Sequence, residues 1–218
     1  SKLPVFLENA KKGNYTVRPD PGLNGSDVAL HIGMAYDADP EIGKLLRNKD
    51  FRHALALGID RDQLNEAFWL GVGTAGSVAP APDTVYSPGP EWNKKWGVLD
   101  LKQANDLLDK VGLTKKDAEG YRLRQDGKGR LRLEMVTVGG QFVPYTQVGE
   151  MIKQQWKKIG VDVDIKELER NLAFTRDNNN ENQIITWAND GSEVLFLFPR
   201  HALPVDAAEA HMGMAYAK

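Results

Sequence analysis

The sequence predicts an α/β fold, a mixed sheet flanked by helices. Three observations carry that prediction. Runs with period-two alternation take turns along the chain with runs at helical spacing. Asp100 to Val111 (DLKQANDLLDKV) is an amphipathic helix with a clear stop at Gly112. Leu131 to Lys166 reads as strand, helix, strand, which forms a right-handed crossover if its two strands are parallel.

The elements follow in order. The first 27 residues read as loop, with turn chemistry at Pro19-Asp20-Pro21-Gly22 and Asn24-Gly25. Val28 to Tyr36 (VALHIGMAY) reads as a strand, and Asp39-Pro40 starts a short helical turn. Within NKDFRHALALGIDRDQLNEAFWLG, Asp50 is the expected N-cap of a helix that buries Phe51, Ala54 and Leu55. Gly58 ends it, and Asp60 caps a second helix carrying Leu64, Ala67 and Phe68. Gly71 to Pro90 is too rich in Gly and Pro for a regular helix and reads as an ordered loop. The helix from Asp100 buries Leu101, Ala104, Leu107, Leu108 and Val111. Tyr121 to Val138 reads as a hairpin turning at Asp126-Gly127-Lys128-Gly129. Pro144 lies in the first turn of a long helix whose buried face is Tyr145, Val148, Ile152, Trp156 and Ile159. Val161 to Lys166 alternates as a strand. A helix near Leu168 to Arg176, the polar loop DNNNENQ and a short strand from Ile184 to Trp187 follow. Asp206 to Lys218 has helical composition without a second signal.

Composition narrows the function. The 218 residues suit one large domain or two small ones; 41% are hydrophobic and 27% charged, enough apolar side chain for a core and too much for disorder. A formal net charge of −2 gives no electrostatic footprint for nucleic acid. The apolar runs are far shorter than the roughly 20 residues that span a bilayer. Ser1-Lys2-Leu3-Pro4 has no apolar stretch of a signal peptide. The absence of cysteine removes disulfides, thiolate chemistry and cysteine zinc sites, and leaves the compartment open.

Catalytic and cofactor patterns are weak. Gly71-Val72-Gly73-Thr74-Ala75-Gly76 matches G-x-G-x-x-G, but a helix precedes it and a proline-rich loop follows, the reverse of a dinucleotide site. No cofactor is expected. His31, His53, His201 and His211 are not paired at helical spacing, so they read as structural and no metal is expected. None of the five serines sits in G-x-S-x-G. The chain therefore reads as a binding protein and not an enzyme. The rival from another class is an enzyme with two carboxylates facing each other across a cleft, a geometry that spacing alone does not test.

The aromatic residues are more informative. Trp156 lies on a helical stripe and belongs to the core; Trp92 and Trp96, in EWNKKW, pack down over the domain. Trp187 ends a strand and is followed by Ala188-Asn189-Asp190-Gly191. Ligands of α/β domains bind beyond the carboxyl ends of strands. An aromatic face followed by a carboxylate suits a ligand with an apolar part and an ammonium group. The competing reading is a core tryptophan followed by a turn-forming Asp-Gly.

Asp50-Phe51-Arg52-His53-Ala54-Leu55, followed by Ile59-Asp60-Arg61, resembles the signature (D/K)-x-x-R-x-A-(L/I)-x-x-A-I-D-R of the family 5 solute-binding proteins, the peptide, dipeptide and nickel receptors of ABC importers. The loop from Gly71 to Pro82, the helix from Asp100 to Leu113 and the run VTVGGQFVPYTQVGEMIKQQWKKIGVDVDIKEL are similar to segments that follow it in that family, in the same order. The resemblance covers most of residues 28 to 190. It implies one lobe of a type II-like periplasmic binding protein. Residues 1–218 would be a single lobe excised from a longer two-lobed receptor, with the N-terminal lobe of the same protein and a membrane ABC permease as partners. It implies an extracytoplasmic location, in the periplasm or as a cell-surface lipoprotein. It further implies binding of oligopeptides or dipeptides, as the small solute, in an interlobe cleft of which this lobe is one wall. An oligosaccharide or a nickel chelate is the alternative ligand within the same family.

The family's W-x-x-D stretch places its carboxylate on a peptide α-amino group. Here it reads Trp187-Ala188-Asn189-Asp190, with Gly191 where an aromatic often stands. Gly139-Gly140-Gln141, after a strand and before a helix, forms a second cleft edge whose backbone N–H groups suit a carboxylate or a water. The expected ligand-binding residues are therefore Trp187, Asn189, Asp190, Gly140 and Gln141. Arg176 reads either as an anchor for a ligand carboxylate or as a solvated helix-end charge. Arg52 and Asp60 read as structural, holding the two signature helices together.

Overall fold

Four strands form one sheet, in the order first, fourth, second, third. The central strand β2 (Arg132–Val138) runs parallel to β3 (Asp162–Leu168) on one side and to β4 (Ile184–Asn189) on the other, with Val136 opposite both Lys166 and Ile185. β1 (Ser26–Ile32) closes the other edge antiparallel to β4, with Ala29 opposite Trp187 and Ile32 opposite Ile184. The computed structural model describes residues 2–18, 25–82, 84–141 and 143–189, and residues 199 and 205 singly. The tail from 206 and Asp190 lie outside the described residues.

Eight helices accompany the strands among the described residues. α2 (Pro40–Arg47) starts where Asp39 accepts from the N–H groups of Glu41 and Ile42. α3 (Lys49–Leu57) is capped by Asn48 and not by Asp50. Asp50 sits in the first turn and pairs with Lys110 at 2.7 Å. α4 (Arg61–Trp69) and α6 (Leu101–Lys110) begin at Asp60 and Asp100 as the sequence predicts. α5 (Pro90–Lys94) is one short turn closing the Gly/Pro-rich loop. α7 (Tyr145–Lys157) links β2 to β3, and α8 (Arg170–Asn178) links β3 to β4.

Two expectations are corrected. The loop-rich start contains α1 (Leu3–Gly13), which Pro4 opens and the left-handed Asn14 closes. Its apolar residues Val5, Phe6 and Leu7 are consecutive and exposed, so they show no helical period. The hairpin over Tyr121 to Val138 is reduced to isolated bridges, Lys116 with Arg122 and Leu123 with Arg130. The glycine turn is present, with Gly127 and Gly129 both left-handed. However, β2 spends its ladder on β3 and β4, and its apolar residues fill both faces, as in a buried parallel strand. Arg122 is drawn inward instead of pairing along a strand.

Alternation along β2 divides the core. Leu133 and Met135 join the larger cluster with α2, α3, α4, α6 and α7, while Val136 and Val138 join a smaller one with Tyr145, Ala173 and Ile185. The larger cluster is keyed by two neighbours on α7. Trp156 is fully buried and donates its indole N–H to the Leu55 carbonyl at 2.9 Å. Gln155 accepts from the Asp60 N–H at 3.0 Å and donates to the Asp60 carbonyl at 3.2 Å and to Gln63 Oε1 at 2.9 Å. A Cβ on Gly58 would stand 2.8 Å from Ile159 Cδ1 and 3.2 Å from Trp156 Cδ1, so the glycine admits this approach.

The signature charges serve the same corner. Arg52 donates to the Leu46 carbonyl at 2.7 Å. Arg61 donates to the carbonyls of Ala56, Ile59 and Gly97, and its burial lowers the guanidinium pKa from the ordinary value. Arg52 and Asp60 do not join the two signature helices to each other: Arg52 ties α3 back to α2, and Asp60 caps α4 and is held by α7.

Trp156→Phe removes the hydrogen bond and part of the packed volume, and should cost about 2–3 kcal/mol. A urea titration should show a lower midpoint with an unchanged slope.

Acid should destabilise the fold by a separate route. Asp39 receives two hydrogen bonds from Arg124, at 2.8 and 2.9 Å, which hold its carboxyl below the usual range against the opposing effect of burial. Burial alone would raise the Glu134 pKa, but hydrogen bonds and charge from Lys166 and Arg176 outweigh it and the net shift is downward. A depressed folded-state pKa contributes stability that is present above the unfolded value and lost as pH falls through the folded one. Stability from urea titrations should therefore fall steadily as the pH drops below about 4, near the unfolded carboxylate values. Glu134→Gln should flatten that slope.

Candidate ligand-binding edge

Because β2, β3 and β4 are parallel, their carboxyl ends open on one side of the sheet. The turn after β2, the first residue of α7, the start of α8 and the end of β4 all meet there. β1 runs the other way and contributes its beginning, with Ser26 opposite Asn189.

Trp187 is the centre of this edge. It shares a sheet face with Ile185 and is packed against the smaller core while remaining partly exposed. Its ring meets Phe174 edge-on at 5.0 Å and Tyr145 at a tilt at 5.9 Å between centroids. The Arg170 guanidinium lies over the indole at 5.1 Å and over Phe174 at 5.6 Å. Trp187 is thus half core and half surface, towards a strand's carboxyl end.

Asn189 has a different setting. It is only 6% exposed, and its amide donates to the Val78 carbonyl at 2.9 Å. It ties the Gly/Pro-rich loop to the sheet. Asp190 follows directly and lies outside the described residues.

Gly139 donates its N–H to the Leu168 carbonyl at 3.0 Å, continuing the β2–β3 ladder by one step. Gly140 is left-handed, with φ 73°, and a Cβ there would meet nothing within 4 Å. The turn is open, and the backbone alone requires the glycine. Gln141 folds its side-chain amide back to the Gly139 carbonyl at 3.3 Å. The adjoining start of α7 has no side-chain cap and no acidic residue in its own first turn. Glu167 supplies the charge from β3 instead: it accepts from the Thr146 hydroxyl, which also lies 2.9 Å from the buried Thr137 hydroxyl. The dipole of α7 is thereby met by a protein carboxylate.

Arg176 is a helix-end charge, as in the second reading, but paired with the protein and not solvated. It sits at the other end of α8, bonded to Glu134 at 2.6 Å with Glu181 at 3.8 Å. His53 stacks on Trp96 at 3.8 Å, and burial lowers its pKa. Trp92 carries Lys95 over its ring at 3.9 Å. His201 and His211 lie outside the described residues. Among the described residues no group of three acidic, histidine or cysteine side chains is placed to hold a metal ion. Asp39 and Glu134 are pushed down by cations, opposite to the rise a general acid needs.

Sequence reasoning missed Arg170 and Phe174 and saw Tyr145 only as core. A signal was present. Arg170 and Phe174 are four residues apart on one helix, hence on one face, and the helix begins directly beyond a strand's carboxyl end.

A four-stranded mixed sheet with helices packed on it is the architecture of one lobe of a periplasmic binding protein. The chain belongs to the bacterial extracellular solute-binding proteins, family 5 Middle, which it matches over residues 4–195. It is 30% identical over 185 residues to the periplasmic alpha-galactoside-binding protein of Rhizobium meliloti (strain 1021), a match that spans 75% of this chain and 25% of that one. Among solved structures it is similar to an oligopeptide-binding protein OppA, with TM-score 0.84 and 31% identity, covering 99% of this chain and 33% of that one. The fold is shared at 18% identity and TM-score 0.72 by MelB of Agrobacterium fabrum C58 in complex with stachyose and by NikA of Brucella suis in complex with Fe(III)-EDTA. These cover 95% and 98% of this chain and 32% and 40% of those. The chain thus spans a quarter to two fifths of the proteins it matches. The family consists of solute-binding proteins of ABC transporters, and nothing in these similarities supports a carboxylate-based cleft enzyme.

Asn189→Ala should release the loop from the sheet. Hydrogen exchange across residues 72–82 should speed up, while global stability falls by only about 1 kcal/mol, the worth of one such bond.

Proposed function

We propose that this chain is one lobe of an extracytoplasmic receptor that delivers oligopeptides or dipeptides to an ABC permease. The rest of the receptor supplies the opposing lobe, and the ligand sits between them. The observation that carries the reading is Trp187, half-exposed at the carboxyl end of β4, beside the open Gly140 turn and three residues before Asp190. The tryptophan would hold an apolar part of the ligand. Asp190 would give a charge-assisted hydrogen bond to the peptide α-amino group, and the Gly140–Gln141 turn would offer backbone donors. Hinge closure of the second lobe would then desolvate these contacts. Similarity to an oligopeptide-binding protein over 99% of the chain supports the peptide reading.

A second reading is an oligosaccharide receptor. It is favoured by the relative that binds alpha-galactosides and by the aromatic cluster of Trp187, Tyr145 and Phe174, since rings of this kind stack on sugars.

Calorimetry on the full-length receptor separates the two. With short peptides as probes, Asp190→Ala should weaken binding by one to two orders of magnitude, about 1.5–3 kcal/mol for a charge-assisted bond. Stachyose binding by the unmodified receptor, with no peptide binding, would decide for the second reading. Unchanged peptide affinity in Asp190→Ala would remove the ammonium contact.

A further inference from the structure

We infer that Arg170 is a specificity-determining ligand anchor, which receives a carboxylate of the bound peptide above the Trp187 ring. The inference rests on the proposed peptide reading and adds a residue and a charge preference to it.

Position comes first. β3 ends at Leu168 and α8 starts at Arg170, so this residue emerges at the same side of the sheet as Trp187 and Gly140. The side chain is exposed, yet it is held: its guanidinium lies over both Trp187 and Phe174. The two rings stand at 79° to one another, so the charge sits in the corner between them within cation–π reach of both. Cation–π contact consumes no N–H donor, and a guanidinium with its donors unspent can take a carboxylate in a bidentate bond.

Its partners, or lack of them, come second. Arg122, Arg124, Arg130, Arg132 and Arg176 all pair with protein carboxylates. Arg170 forms no hydrogen bond or ion pair with any described residue. The two nearest acids in sequence are engaged elsewhere. Glu169 accepts from the N–H groups of Asn171 and Leu172, and Glu167 accepts from Thr146. The fold has thus set an arginine against two rings, with its polar edge unpartnered by any described residue. Such preorganisation lowers the ordering cost of binding. With Asp190 following Trp187 in the chain, the aromatic platform carries one cation and is followed by one anion, which matches a ligand bearing both charges.

The test is calorimetry on the full-length receptor with matched probes. Tri-alanine against its C-terminal amide reads a terminal carboxylate, and Ala-Glu-Ala against Ala-Gln-Ala reads a side-chain one. Stachyose is the neutral probe. The unmodified receptor should prefer the carboxylate member of at least one pair by tenfold or more. Arg170→Gln should abolish that preference by weakening only the carboxylate member, and Arg170→Lys should restore part of it. Trp187→Ala should weaken both members of the pair. Equal weakening of both members by Arg170→Gln, or no weakening, overturns the inference alone. If Trp187→Ala leaves peptide affinity intact, the Trp187 platform fails, whatever Arg170→Gln does. Binding of stachyose with no peptide overturns the peptide reading and the inference together.

Discussion

The docking of α7 on the corner between α3 and α4 is the contact on which the rest of the lobe depends. Trp156 and Gln155 are consecutive, and between them they reach the Leu55 carbonyl and both backbone groups of Asp60. A helix end and the next helix start are places where backbone groups lack intrahelical partners. Here the Asp60 N–H takes its partner from Gln155, and the Leu55 and Asp60 carbonyls, each already accepting a backbone N–H, gain a second bond from side chains about a hundred residues away. This single contact fixes where the crossover helix lies. It thereby fixes the position of Tyr145 at the helix's first turn, while β2 and β3 are held side by side by their own ladder. The candidate binding edge lies at the far end of an element whose other end is bolted to the core.

Arginines do much of the remaining joining. Arg122 is fully buried and donates to the carbonyls of Ile159 and Leu113, to Asn105 Oδ1 at 2.7 Å and to Asp109 at 2.5 Å. It thereby ties the end of α6 to the turn before β3. A charge so placed is tolerable because every donor direction finds an acceptor. Around the amino ends of the strands, Asp162 is shared by Arg130 and Arg132, and Glu134 by Lys166 and Arg176. Cations and carboxylates are thus balanced at one end of the sheet, while the carboxyl end is aromatic and sparsely paired. That asymmetry makes one rim structural and leaves the opposite rim for the proposed solute contacts.

The fold was legible wherever a residue pattern and a stop signal agreed. Asp60, Asp100 and Gly112 mark real helix limits, and the buried stripe of α7 was read residue by residue. α1 was missed because its apolar residues are consecutive and exposed, so neither period nor burial announces it. The hairpin was expected because glycine turn chemistry and alternation over Tyr121 to Gln125 are local signals. What overrode them is non-local: the burial of Arg122 and the demand of β2 for two parallel neighbours. The site divides in the same way. Trp187 could be placed from its strand and the strand's end. Asn189 looked like part of the same motif, but its partner, Val78, is more than a hundred residues distant, and no local pattern shows such a contact. Arg170 was hidden because sequence spacing does not show which arginines have lost their charge to a protein partner.

A wall of this kind has a consequence for recognition. Trp187 is buttressed on three sides by Tyr145, Phe174 and Arg170, so its exposed part is already oriented before any ligand arrives. A rigid aromatic platform holds an apolar group without choosing strongly among ligands, since dispersion and apolar burial carry little directional information. Choice must come from the polar groups around it, which is where Arg170 and the Gly140 turn stand. Those groups are partly in water in the lobe alone, where ion pairs and hydrogen bonds are worth least. Covering them with a second lobe would exclude that water and strengthen each contact. On the proposed reading, the platform would give placement, and closure would turn the polar rim into discrimination.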